Sequence, residues 1–516
     1  MNKFLKKMKG WATGRGGMNT AMTVLIILTV MFLNAILYSL TTSGGWYLYE
    51  PAKTTEPLSG STDKIFDGAD EEVNIVFLRE ESDMQGDSIS STVYQTATAL
   101  AERHSFINIE FVDFYTHRYY DEELEREIVF PVDRYKTDMR GNEVVGFSEW
   151  SVIFIAGDMT DENSTYYVLP STQYSSFFTF DSSGTIYAYN GEEVFASMVS
   201  WVLEDEHPTA YLTTGHGETL DSAFTNMLTC AGYYLDLVDL SKSEVPADAE
   251  LLIVFNPTSD FEYSVDGSVR SEINRLRDYM YDRGGDLYVC MDPELDKRLP
   301  AFEGFLAERG FVFAASEENG TYNREIVSDP NNGISTDGYS FVAEFADNGI
   351  AMDIKRAITE RGVSASVLAA SMGRIIIPEG STAVPILVSS SGAETYAGGE
   401  RKDKEGSYAV CAYNNIPSGN DEDKRSNIFV CYGAYVSSAA AMVTNGYSNK
   451  DFLFSVMNYG FGSTAMPIGC VDLVFVGDIL QGFTMSTARL FTALIMAIPV
   501  IIGIVGAVIV IRRKYR

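Results

Sequence analysis

The chain predicts an α/β protein: two consecutive α/β segments, the second with a mainly parallel sheet, anchored by an N-terminal and a C-terminal transmembrane helix. Three observations carry this expectation. Between residues 71 and 465, apolar runs of strand length alternate with amphipathic runs of helix length. Two uncharged apolar runs, 18–40 and 490–511, each reach the ~20 residues needed to cross a bilayer as a helix. The charges are segregated. All 71 acidic residues of this 516-residue chain fall within residues 42–487, whereas Lys3, Lys6, Lys7, Lys9 and Arg15 precede the first run and Arg512, Arg513, Lys514 and Arg516 follow the second.

These basic flanks set the expected topology. Under the positive-inside rule both termini, 1–17 and 512–516, lie in the cytoplasm, and the acidic body lies on the extracytoplasmic side of a two-pass cell-membrane protein. Residues 41–70, rich in Thr, Ser, Gly and Pro, read as a tether, with Trp46, Tyr47 and Tyr49 suited to the interfacial belt. The net charge of −33 excludes nucleic acid as a partner of the body.

The first segment, 71–207, opens with the buried-strand run "VNIVFL" (73–78). A helix with Val93, Ala97, Leu100 and Ala101 on one face follows, then strands at 107–114 and 151–157. "FFTFDSSGTIYAYNG" predicts a hairpin turning at Ser183-Gly184, and a helix follows that ends at Pro208. The second segment, 208–465, predicts strands at "TAYLTT", "YYLDLVDL", "ELLIVFN" and "DLYVCMDP". Between them lies a helix capped by Ser271 and stopped at Gly284-Gly285. Later strands are predicted at 383–390, 407–414 and 426–433, with "GGERKDKEGS" and "SGNDEDKRS" as solvated turns. A closing helix at 449–462 precedes a linker, 466–489.

Five scattered cysteines, an odd number without C-x-x-C, form no disulfide framework, and no zinc spacing occurs. The chain contains no G-x-x-x-x-G-K-[ST] motif, so any ATPase is another chain. No cofactor or metal is expected.

The stretch with most chemistry is "TTGHGETL". Its candidate ligand- or partner-binding residues are Thr214, Gly215, His216, Gly217 and Glu218. Three readings compete. The glycines allow a sharp turn into a helix beginning at Glu218 or Thr219, whose dipole the acid complements. Alternatively the loop, at the carboxyl end of a strand, holds a ligand or partner. A catalytic reading makes His216 and Glu218 base and orienter, but no G-x-S-x-G or G-x-C-x-G elbow supplies a nucleophile.

Taken together, "YLTTGHGE", "ELLIVFNP", "LRDYMYDRGGDLYVCMDP", "FLAERGF", "NKDFLFSVMNYGFG" and the terminal run ending in "RRK" resemble the GldG-like auxiliary proteins of ABC transporters, of gliding-motility type, with an intraflagellar-transport-like domain. One departure shows: where that family often has a Gly-Asp-Ser-like turn, this chain has "GAYVSSA". The resemblance implies a non-enzymatic, membrane-anchored accessory subunit beside an ABC ATPase and a polytopic permease, its extracytoplasmic body binding a partner or ligand. A stand-alone receptor for a sugar or cell-wall fragment is the alternative, and a carbohydrate or a peptide is the candidate ligand. A surface hydrolase using His216 and Glu218 is the third reading.

Overall fold

Apolar alternation along the strands builds the architecture, because each sheet face must be covered by helices. In this computed structural model the described residues are 58–474, apart from 87, 122–125, 181–185, 205, 263–270, 319, 420, 445, 464–466 and 471–472. They belong to one compact unit that begins at Glu56.

The first sheet has four strands: β1 (Val73–Phe77), β2 (Ile107–Phe111), β3 (Val152–Ala156) and β4 (Tyr166–Leu169), in the order β2-β1-β3-β4. Only β1–β2 is a parallel pair; β3 runs antiparallel to β1 and to β4. Helices α1 (Ser88–Arg103) and α2 (Gly191–Leu203) pack on the face that carries Ile75, Phe77 and Phe154. The hairpin expected around Ser183-Gly184 is seen as the antiparallel pair Phe178–Phe180 and Ile186–Tyr189.

The large sheet has eleven strands. Its parallel arm comprises β5 (Thr209–Thr214), β6 (Tyr234–Asp239), β7 (Ala249–Phe255) and β8 (Asp286–Cys290), in the order β6-β5-β7-β8. The second arm comprises β9 (Ser340–Phe345), β10 (Val367–Ala370), β11 (Val384–Val388), β12 (Ala409–Ser418) and β13 (Asp421–Cys431). Strand β13 is the seam. It lies parallel to β8 on one side and antiparallel to β12 on the other, and the pairs β12–β11, β11–β9 and β9–β10 are all antiparallel.

Strand alternation divides the apolar residues between two faces. One carries Tyr211, Leu252, Val254, Leu287 and Val289 against α4 (Glu272–Arg283) and α5 (Pro300–Ala307). The other carries Leu212, Leu251, Ile253, Tyr288 and Phe429 against α3 (Ser222–Cys230) and α7 (Asn449–Phe461). This second apolar cluster continues without a break through α2 into the first sheet. Helix α6 (Gly349–Glu360), capped by the Asn348 side chain, covers part of the antiparallel arm.

The fold expected from sequence needs correction in two respects. The large sheet is mixed rather than mainly parallel, because β9 to β12 join it through antiparallel pairs; polar runs assigned to turns are also extended strand. "SGNDEDKRS" supplies the first half of β13, and "GGERKDKEGS" lies largely in the strand Glu400–Gly406 of a separate three-stranded sheet. Among the described residues no helix is long and apolar enough to cross a membrane. The two transmembrane anchors are therefore no part of the observed fold, and the runs at 18–40 and 490–511 that suggested them lie outside the described residues.

Candidate functional site

Strand β5 delivers the Gly-His-Gly-Glu loop to the carboxyl edge of the parallel arm. The chain steps from β5 outward to β6 and then back past β5 to β7, so the β5–β7 gap is the point where the strand order reverses. Open α/β sheets form a crevice at such a point. Residues 215–221 follow β5 and residues 256–262 follow β7, and the two loops meet there.

Both glycines are required by the backbone. Gly215 has φ +109° and Gly217 φ +75°, which L side chains rarely adopt. A Cβ on Gly217 would also stand 2.1 Å from Thr258 Oγ1. The His216 carbonyl accepts hydrogen bonds from the amides of Thr258 (2.8 Å) and Ser259 (2.9 Å), which ties the loops together. Thr214 ends the strand, its hydroxyl donating to the Val238 carbonyl at 3.4 Å.

His216 is turned inward, 5% exposed, with its ring stacked on Phe261 at 3.9 Å between centroids. Both ring nitrogens are engaged by carboxylates: Nδ1 by Glu218 Oε1 at 3.3 Å and Nε2 by Glu272 Oε2 at 3.1 Å. Glu218 Oε2 also accepts from the His216 amide at 2.7 Å, and Glu272 Oε2 accepts from the Glu262 amide at 2.6 Å. The remaining Glu272 oxygen is buried and has no hydrogen-bond partner among the described residues.

Burial favours the neutral imidazole, but the Glu218 and Glu272 carboxylates outweigh it and raise the His216 pKa above its ordinary 6.5. Burial likewise pushes the Glu218 carboxyl up, yet the bonds from His216 leave its pKa below 4.5. Below its raised pKa the ring is an imidazolium held between two buried carboxylates. With both nitrogens occupied and the ring covered, His216 is not placed as a free base toward solvent.

The residues predicted from sequence therefore adjoin one another, but their roles differ from the turn-into-helix reading. Helix α3 begins at Ser222, not at Glu218 or Thr219. Asp221 is its cap, accepting from the Ala223 amide at 2.9 Å, so Glu218 is free to clamp His216 instead of complementing a helix dipole. Sequence reasoning missed Phe261 and Glu272. Glu272 opens α4 behind its Ser271 cap, and that local pattern explains an acid there without pointing to a histidine 56 residues away. Among the described residues no group of three or more His, Cys, Asp or Glu side chains is placed to hold a metal.

Two small clefts lie elsewhere: one beside Arg79 and Trp150, the other beside Gln173 and Asn226. Neither has room for more than about one water molecule, far short of the ~300–1,000 Å³ usual for small-molecule sites.

No protein-family model matches the chain, and no curated protein matches it. A solved structure, PurLQS from Thermotoga maritima, aligns with a TM-score of 0.28 at 16% identity, covering 49% of this chain and 99% of that one. A superposition that loose carries no argument about activity.

Proposed function

We propose that this protein is a non-enzymatic accessory subunit of an ABC transporter complex of export or gliding-motility type. Its body, on the extracytoplasmic side, docks a partner protein at the carboxyl edge of the parallel arm. The observation that carries the non-enzymatic part is the enclosure of His216: both nitrogens are held by buried carboxylates and its face is covered by Phe261. The transporter part rests on the sequence resemblance, and the ATPase and polytopic permease are the partners it implies.

A stand-alone receptor for a carbohydrate or cell-wall fragment is the second reading, favoured by the position of the loop at the point where strand order reverses. The test is affinity purification of the tagged full-length protein from native membranes. Co-purification of an ATPase and a polytopic permease supports the proposal. Recovery of the protein alone, together with binding of cell-wall fragments, would replace it with the receptor reading.

A further inference from the structure

Three of the five cysteines converge at the seam of the large sheet. Cys290 ends β8 and Cys431 ends β13, and these two are register partners in the parallel pair. Cys411, in β12, is the register partner of Cys431 across the antiparallel pair. All three lie in the same apolar cluster, on the face that α7 covers, and all are fully buried. The sulfurs of Cys411 and Cys431 are 3.2 Å apart.

A buried thiol on its own packs as a small hydrophobe, and any one of these positions could be read that way. Packing alone does not require two sulfurs in contact with a third beside them. We propose that Cys411 and Cys431 are a modification site, closing to a cross-strand disulfide when the protein meets a peroxide.

The geometry needs little change. A disulfide bond is ~2.05 Å long, so the sulfurs approach by just over an ångström. Antiparallel register partners hold their Cβ atoms ~4.5–5.5 Å apart, and a disulfide takes ~3.5–4.5 Å, so the strands draw together slightly.

The chemistry balances in two steps. The Cys431 sulfur attacks one peroxide oxygen, the O–O bond breaks, and a sulfenic acid and water form. The Cys411 sulfur then displaces the sulfenic oxygen as a second water, forming the S–S bond. Two thiols are oxidised and one hydrogen peroxide is reduced to two waters.

Cys290 also touches the start of the loop after β7. Its sulfur lies 3.5 Å from Oδ1 of Asn256, a partly exposed residue with φ +50° at the end of β7. The chemical difference between thiols and disulfide is at the seam, where the bond would staple the antiparallel arm to the strand that carries the parallel one.

In the test, full-length protein in detergent is treated with hydrogen peroxide and quenched. It is then denatured in iodoacetamide without reductant, digested and mapped by mass spectrometry. The expected product is one species joining the Cys411 and Cys431 peptides, two hydrogens lighter than their sum and released by dithiothreitol. Cys230, in α3, is the internal control and should be recovered alkylated. In Cys411→Ser the linked species should vanish and Cys431 should carry added oxygen or a bond to Cys290. Recovery of Cys411 and Cys431 separately, alkylated or as sulfinic acids, at a peroxide dose that fully oxidises free glutathione would overturn the proposal. The wild-type map decides this even if the variant does not fold.

Discussion

The clusters around His216 and Arg324 are both buried knots of charge, yet they solve burial in opposite ways. Arg324 has no exposed side-chain surface and spends its guanidinium on fixed acceptors: Glu303 Oε1 at 2.6 Å, the Leu295 and Lys297 carbonyls at 3.1 and 3.0 Å, and the Tyr432 hydroxyl at 3.2 Å. Its charge does not change over any pH at which the protein is folded. His216 has two carboxylates for one imidazole, and the imidazole can lose its proton. The comparison teaches that one knot is permanent, whereas the other holds only while His216 is charged.

The largest effect is expected at the permanent knot. Arg324→Met removes every donor at once and leaves Glu303 part-buried beside two unpaired carbonyls. A cost of about 3–5 kcal/mol is expected, read by denaturant unfolding. A loss below about 1 kcal/mol would show that the knot contributes little and that the contrast with His216 fails.

His216→Gln comes next. One lost polar contact by itself would cost about 1–2 kcal/mol. With Glu218 and Glu272 left facing each other in a buried site, the structure raises the expectation to about 3 kcal/mol near pH 6, measured the same way. Gly217→Val is expected to cost about 2 kcal/mol, from a β-branched residue at positive φ and its contact with Thr258. Adding Thr258→Ala should restore the steric share and leave the backbone share. If the pair behaves additively, the close approach of Gly217 and Thr258 is not what constrains the loop.

How much of this was legible follows the same division. The parallel arm could be read because "TAYLTT", "ELLIVF" and "DLYVC" are buried on both faces and so are nearly continuously apolar. Helix α4 announced itself by Ser271 and Gly284. The antiparallel arm was harder. Residues Asp421–Arg425 of β13 are charged and look like a turn, and their strand partners lie in β12, which local pattern does not show. Strand β9 and helix α6 were missed, although α6 carries Ala351, Ile354, Ala357 and Ile358 on one buried face behind its Asn348 cap. At the site, the glycines and His216 stood out by rarity and spacing. What they do depended on Phe261 and Glu272, which only the tertiary fold brings near. The cysteines show the same limit: scattered in sequence, three are adjacent in the sheet.

The central claim, that Gly-His-Gly-Glu is a charged clamp tying the β5 and β7 loops, is tested most directly by pH. His216 has a folded pKa above 6.5, so its contribution is full below pH 6.5 and is lost as pH rises through the raised folded value. Glu218 has a folded pKa below 4.5, so its share is present above pH 4.5 and is lost as pH falls through the lowered value. Asp286, pushed up to about 7 by burial, also lowers stability as pH rises, so only a difference isolates His216. The measurement is the unfolding free energy of wild type minus that of His216→Gln across pH 5 to 9. The account predicts a difference that is largest near pH 5–6 and shrinks steadily as His216 loses its proton. A difference that stays flat across the range, or is absent at pH 5–6, would contradict the clamp and return His216 to the list of groups free to act on a ligand.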